Sequence, residues 1–281
     1  MPLSEEVNKE NYNLDRGIPV FSDVDNTLLA GDSGKEWLKQ AGVVSDDDWD
    51  EFIQEQRHEG LGHSNELVYF LSQNPEMRDW LHDEISEVSL NERRGIDLAL
   101  THRYEHDIPN IGSSAGYRLV IEQVTNGNLH DIIAGDIQGG DPVFNGQNEK
   151  RSRVEQYLEQ MDYDGEFVSL ADSNGDLGKV EAAAESGGFG IAVGPSVEEA
   201  RDNIDRATIY VGDSNPEHHA TGALVNYLTV EPEYRMSPGE MREQYGFDFS
   251  TASIAPGELA TTSDIDEIEG FMDYITGDYS E

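Results

Sequence analysis

Ile18-Pro19-Val20-Phe21-Ser22-Asp23-Val24-Asp25-Asn26-Thr27-Leu28-Leu29 is the stretch whose reading decides the fold. A short apolar run ends in Asp23, and Asp25 and Thr27 follow at once. Val20 and Phe21 favour a strand, Pro19 is tolerated because it lies near the strand's start, and Asn26 marks a turn directly after it. Two carboxylates one residue apart at a strand end suit one chemistry well. One attacks an electrophile and helps to hold a metal, while the other moves a proton. The competing reading is a solvated acidic turn, which 58 Asp and Glu in 281 residues make easy to obtain by chance. What stands at the other strand ends decides between them.

From residue 107 onward short apolar runs alternate with longer amphipathic ones. Strands are predicted at 17–22, 107–111, 130–134, 166–171, 189–193 and 207–211, and helices at 115–125, 150–161, 176–187, 196–203 and 217–228. Strands alternating with helices predict an α/β protein, a Rossmann-like three-layer parallel sheet core with helices on both faces. Residues 34–105 break that alternation. Trp37 and Leu38, Trp49, Phe52 and Ile53, Leu67, Phe70 and Leu71, Trp80 and Leu81, and Ile96 and Leu100 recur at helical spacing there. The reading is an inserted all-helical cap. The expected organisation is thus 1–33 as first strand and nucleophile loop, 34–105 as cap, 106–230 as the remaining core, and 231–281 as a C-terminal extension packing on the core. Within that extension 264–276 has the pattern of one amphipathic helix, and 231–263 shows no assignable pattern.

Charge excludes whole classes of partner. The chain carries 18 Lys and Arg against 58 Asp and Glu, a net charge of −40, and only five of the bases are Lys. Such a surface repels nucleic acid and anionic membranes. The acids sit between apolar segments throughout, so they do not form a disordered tail. Acidity of this kind, poor in Lys, is expected of a protein working in concentrated salt, as in a halophilic archaeon. There is no Cys, which excludes disulfides, thiolate metal sites and Cys nucleophiles. No window approaches the ~18 consecutive apolar residues of a membrane span. With a polar, acidic N-terminus, a cytoplasmic protein is expected.

In a parallel sheet, ligands gather at the carboxyl ends of the strands. After the first strand come Asp23 and Asp25. After the second come Ser113 and Ser114, then Ala115-Gly116-Tyr117. Glu149-Lys150-Arg151 opens the helix before 166–171, and Asp172-Ser173-Asn174-Gly175-Asp176 follows that strand. Two carboxylate pairs, a hydroxyl and a cation match phosphoryl transfer, where catalysis is mostly positioning and electrostatic stabilisation. The oxygen ligands suit Mg²⁺.

These stretches, in this order, resemble the four motifs of the haloacid dehalogenase (HAD) superfamily, and in particular its phosphoserine-phosphatase-like phosphatases. Phe21 to Leu29 looks like the first motif, Ser114-Ala115-Gly116-Tyr117 the second, Lys150 the third, and Ala171-Asp172-Ser173-Asn174-Gly175-Asp176 the fourth. The resemblance implies Asp23 as nucleophile, forming an aspartyl-phosphate, and Asp25 as acid and base. It implies Mg²⁺ held by Asp23, the Asp25 backbone carbonyl and Asp172, with Asp176 ordering a water ligand. Ser114 and Lys150 would then neutralise developing charge. A cap between the first two motifs implies a small phosphorylated metabolite as substrate. Asn26, Thr27, Trp37, Arg57 and Arg93 are the candidates to contact it. Ser113 competes with Ser114 as the second-motif hydroxyl. Ala171 stands where the family usually has Gly. Val211-Gly212-Asp213-Ser214-Asn215 has that Gly, but Pro216 and Glu217 follow where a second Asp is due, so a loop after an edge strand is expected there. His218-His219 is expected as a surface pair, since adjacent residues on a helix do not share a face. Asp25 argues against a dehalogenase. A phosphotransferase or mutase, and a catalytically silent subunit of the same fold, remain alternatives, and the oligomeric state is open.

Overall fold

A computed structural model describes residues 12–45, 47–56, 65–84, 90–91, 93–125 and 127–277. Its centre is one eight-stranded sheet built from β1 (Val20–Ser22), β2 (Asn110–Tyr117), β3 (Asp131–Gln138), β4 (Asp141–Val143), β5 (Val168–Ala171), β6 (Phe189–Gly194), β7 (Ile209–Asp213) and β8 (Ala252–Pro256). The order across the sheet is β4-β3-β2-β1-β5-β6-β7-β8. The six strands from β3 to β7 run parallel; β4 and β8 close the two edges antiparallel. Phe21 sits opposite Ile111 on one side and Ser169 on the other, so β1 is central. The chain leaves β1 for β2 and β3 on one side and later returns through β5 on the other. That reversal opens a crevice at the carboxyl end of β1.

Successive side chains of a strand face opposite ways, which builds two cores. Val20, Val168, Leu170 and Ile191 pack on one face with Leu224 and Val225 of α10 (His219–Thr229). Phe21, Ile111 and Ile133 pack on the other with Val154, Tyr157 and Leu158 of α7 (Gln147–Met161). Helices α6 (Arg118–Val124), α8 (Leu177–Glu185) and α9 (Val197–Asn203) complete the crossovers.

Between β1 and β2 lie α1 (Ser33–Gln40), α2 (Trp49–Gln56), α3 (Glu66–Gln73), α4 (Pro75–Glu84) and α5 (Arg94–Glu105). The last of these lies along α10, where Gly95 and Gly222 bring the two backbones into contact; a Cβ on either would collide with the other helix. Arg103 of α5 is fully buried without a carboxylate partner among the described residues. It donates to the carbonyls of Ile18, Pro109 and Thr229 and to the side chains of Asn110 and Thr229. Those atoms lie at the entry to β1 and β2 and the end of α10, so one guanidinium ties three core elements together. Burial lowers its pKa to about 9.

Three local differences from the sequence reading have physical causes. The second strand runs to Tyr117, although a helix was predicted from 115, because an irregular register between Ser113 and Tyr117 lets β2 stay paired with β3. β7 is not an edge strand. Residues 252–256 pair with it, with Ile254 opposite Val211. The unassigned stretch 231–263 also holds α11 (Pro238–Tyr245), which starts in a Ser237–Glu240 capping box and ends at Gly246 with φ 73°. The helix predicted at 264–276 is α12 (Thr262–Thr276), opened by a Thr261–Asp264 capping box. No helix among the described residues is long and apolar enough to cross a membrane.

Candidate active site

At the carboxyl end of the central strands lies a cavity of about 270 Å³. Asp23, Asp25, Asn26, Ser114, Lys150, Asp172 and Asp176 all line it. Asp23 leaves β1, its backbone N–H still donating to Leu170 O of β5 at 3.0 Å. The chain then turns sharply. Asn26 takes φ 58°, a conformation its short polar side chain tolerates, and Asp25 lines the cavity beside Asp23. There the Ser33 N–H, at the start of α1, donates to Asp25 Oδ1 at 2.8 Å. The irregular stretch of β2 carries Ser114, Ala115 and Gly116 along the cavity wall. Asn145, fully buried, donates to the carbonyls of Ser114 and Ile133 at 2.8 Å each and holds that stretch in place. Lys150 comes from the first turn of α7. Asp172 and Asp176 come from the short turn joining β5 to α8.

Charge governs this cluster. Lys150 is 4 % exposed and donates to Asp23 Oδ1 at 2.9 Å and Asp176 Oδ1 at 2.8 Å. Burial opposes its charge, but the carboxylates of Asp176 and Asp23 outweigh it and raise the Lys150 pKa. Burial also works against ionised Asp176, yet Lys150 and Lys179 hold its pKa below the usual carboxylate range. Asp23 is raised by burial and by Asp176, against the pull of Lys150. Asp172 is raised to about 7 by burial, Asp23 and Asp176. Asp25 is raised to about 8, first by burial and then by Asp32. The two carboxylates of Asp23-Val24-Asp25 therefore differ in their surroundings: Asp23 touches an ammonium group, while Asp25 is favoured in its protonated form at neutral pH.

The oxygen atoms offered by Asp23, Asp172 and Asp176 lie within 4.8 Å of one another. An all-carboxylate set beside an open cavity fits a hard divalent cation that keeps waters in its shell.

Other expectations fall elsewhere. Trp37 is buried in the core, stacked on Tyr117 at 6.0 Å, and does not line the cavity. Thr27 is also fully buried behind the loop. Arg93 stays outside the lining but donates through Nη2 to Asn26 O at 2.8 Å, bracing the turn from the side. Arg57 lies outside the described residues. Of the two serines, Ser114 lines the cavity, whereas Ser113 is buried away from it.

The rival fourth motif is committed to structure. Asp213 is 1 % exposed, accepts from Ala220 N at 2.8 Å, Asn215 N at 3.1 Å and Thr251 Oγ1 at 3.2 Å, and so fastens the start of α10 and the approach to β8. The His pair is buried, not on the surface. His219 accepts at Nδ1 from the Asp248 N–H at 2.9 Å, so its Nε2 donates to Glu217 at 2.8 Å. His218 takes φ 52°, and burial near Arg93 lowers its pKa to about 3. The segment between α11 and β8, whose Phe247 stacks on the His219 ring at 4.7 Å, could not be placed from the sequence.

Four lining or supporting residues escaped the sequence reading. Asp32 caps α1 by accepting from Lys35 N at 2.8 Å and faces Asp25. Glu66 and Trp49 bring α3 and α2 to the cavity wall. Lys179 lies one helical turn beyond Asp176, its Nζ 2.8 Å from Asp176 Oδ1. An i, i+3 spacing after the last Asp, in a chain with so few Lys, is the signal that could have found it.

No family profile matches the sequence, and no curated protein matches it. Solved structures do. A gene product of Archaeoglobus fulgidus is 14 % identical, with 93 % of this chain and 97 % of that one aligned at a TM-score of 0.57. This chain shares its fold. A HAD family hydrolase from Salmonella enterica serovar Typhi is 15 % identical over 69 % of this chain and 68 % of its own, at a TM-score of 0.49. A phosphoserine phosphatase bearing a phospho-aspartyl intermediate analogue is 16 % identical over 68 % of this chain and 92 % of its own, at 0.48. At 14 % identity the archaeal likeness speaks for the fold alone; the chemistry rests on the residues at the cavity.

Proposed function

We propose that the chain is a phosphatase of the HAD superfamily, a Mg²⁺-dependent phosphomonoester hydrolase acting on a small phosphorylated metabolite in the cytoplasm of a salt-adapted cell. The observation that carries this reading is Lys150, which joins Asp23 of the first strand end to Asp176 of another at 2.9 and 2.8 Å, with the Asp25 carboxyl group lining the same cavity. A solvated acidic turn needs no buried ammonium group.

Asp23 attacks phosphorus in line; the P–O bond to the leaving group breaks as the bond to an Asp23 carboxylate oxygen forms. Asp25 gives its proton to the departing oxygen, then takes one from the water that hydrolyses the aspartyl-phosphate. Lys150 and the Ser114 hydroxyl stabilise the charge on the transferring group. Asp23, the Asp25 backbone carbonyl and Asp172 would hold Mg²⁺, with Asp176 orienting a water ligand; bound there, the ion supplies charge neutralisation of the phosphoryl oxygens. The cavity of about 270 Å³, bounded by Trp49, Ile53 and Leu67 from the insert, suits a metabolite and not a folded protein. The net charge of −40 speaks against nucleic acid and anionic membranes as partners.

The test is phosphate release from p-nitrophenyl phosphate and from a panel of small phosphometabolites, in molar KCl with Mg²⁺. Turnover that requires the ion and disappears in Asp23→Asn supports the reading. Absence of release from every ester, by a folded protein with Mg²⁺ present, would overturn it.

A further inference from the structure

Lys179 is 0 % exposed, and no step above uses it. Its Nζ stands 2.8 Å from Asp176 Oδ1, the same oxygen that Lys150 approaches to 2.8 Å. The Lys179 contact is an ion contact rather than an aligned hydrogen bond, since its Nζ lies at an angle that leaves its N–H groups without an acceptor among the described residues. One carboxylate oxygen therefore faces two ammonium groups. Both ammonium groups favour the ionised form of Asp176. The second brings a buried charge with an unfavourable desolvation cost and little hydrogen bonding to offset it.

What balances that cost is the cluster as a whole. Asp23, Asp172 and Asp176 gather three carboxyl groups within 4.8 Å, and Asp25 adds a fourth across the cavity. One ammonium group offsets only part of whatever negative charge these carboxyl groups carry, and the second offsets more. A divalent cation among the same carboxylates adds two more positive charges beside an ammonium group that already stands 2.8 Å from one of them, and like charges repel strongly in a buried site.

We propose that Lys179 is a resident counter-cation of the carboxylate cluster, a positioning residue that keeps the cluster assembled without metal and works against divalent-cation binding when metal arrives. This deepens the phosphatase reading and rests on it for the place of Mg²⁺. It assigns to Lys179 a role in setting metal affinity: the site binds the ion weakly enough to exchange it, and the carboxylates do not fly apart when it leaves. The two cations are thermodynamically coupled with a negative sign, so removing one must strengthen the other.

The experiment uses the full chain and its Lys179→Met, Lys179→Gln and Lys179→Arg variants at one fixed KCl concentration. Mg²⁺ affinity is read by calorimetric titration, and the melting midpoint is read in EDTA and in saturating Mg²⁺. Both neutral variants should bind Mg²⁺ at least about fivefold more tightly than wild type. Their midpoint deficit in EDTA should shrink when Mg²⁺ is added, and Lys179→Arg should behave as wild type. Equal or weaker Mg²⁺ binding in the neutral variants would overturn the proposal. So would a midpoint deficit of the same size with and without the ion, which is what a purely packing role gives. Should the neutral variants not fold, wild type labelled at lysine Nζ suffices, because the chain has only five lysines. The Lys179 ammonium resonance, assigned through Lys179→Arg, must move on Mg²⁺ addition, and a resonance that stays put refutes the coupling. Loss of the phosphatase reading looks different: wild type would then release no phosphate from any ester while the antagonism between Lys179 and Mg²⁺ persisted.

Discussion

Asp25→Asn separates the acid from the rest of the machinery. The Ser33 N–H donates to Asp25 Oδ1 at 2.8 Å, and an Asn carbonyl accepts the same bond, so the fold and the loop should survive the change. What the amide cannot do is release a proton. With its pKa near 8, Asp25 is about ten to one protonated at pH 7. An unperturbed carboxyl group would be protonated in roughly one molecule in a thousand. Burial and the neighbouring Asp32 thus raise the share of Asp25 that holds a proton to give. Removing a positioned acid costs ~10²–10⁴ in rate, and the structure argues for the upper half of that range with an alkyl ester. A nitrophenyl ester leaves without a proton, so its first step should lose far less. The assay is steady-state phosphate release from both esters with saturating Mg²⁺ from about pH 5 to pH 9. Wild type should show an alkaline limb for the alkyl ester at or below about pH 8, since a nearby cation can only draw the Asp25 pKa down. An equal loss for both esters, or an alkaline limb that persists unchanged in Asp25→Asn, would refute the assignment.

Asp23→Asn should abolish turnover with the melting midpoint little changed, and residual activity above about one per cent by phosphate release would point to another nucleophile. Asp172→Ala should weaken Mg²⁺ binding in calorimetry, whereas Asp213→Ala should leave that affinity near wild type and lower stability by ~1–3 kcal/mol through the lost bonds to Ala220 and Asn215. In EDTA, stability should fall as pH rises from about 4 towards 8. Asp25 and Asp172 have folded pKa values raised to about 8 and about 7, so the fold favours their protonated forms and loses that contribution on the alkaline side. Asp176, held low, adds stability of the opposite slope only on the acid side of the usual carboxylate range, and Asp172→Asn should flatten the EDTA profile. With a net charge of −40, the melting midpoint should climb steeply from ~0.01 M to ~1 M KCl as the Debye length shrinks from ~30 Å to ~3 Å. A midpoint flat across that range would remove the salt-adapted reading.

The alternation of short apolar runs with amphipathic ones was enough to place the parallel strands within a few residues, because a strand buried on both faces has few alternatives to Val, Ile, Leu and Ala. It failed where local composition and tertiary pairing disagree. Ser113-Ser114-Ala115-Gly116 has little strand propensity, yet β3 keeps it extended to Tyr117. Trp37 looked like a residue reaching for substrate because it sits in the insert, but Tyr117 and His82 enclose it. Asp213 looked like half a metal site because Gly212 precedes it. Only the partners Ala220 and Thr251, one beyond the next turn and one on a far segment, reveal that its oxygens are spent.

Motif spacing along the chain determined which side chains could meet: Asp23, Asp25, Ser114, Lys150, Asp172 and Asp176 each stand at a strand end or helix start, and a parallel sheet carries all such positions to one edge. Net charge likewise needed no coordinates. The tertiary structure alone decided what state those groups are in. Protonation of Asp25 follows from its burial and from Asp32, the ionisation of Asp176 from Lys150 and Lys179, and the pairing of β8 with β7 from contacts between segments about 40 residues apart. The physical reason is that desolvation and Coulomb energy depend on what surrounds a group in three dimensions, and a sequence lists residues without saying which of them exclude its water.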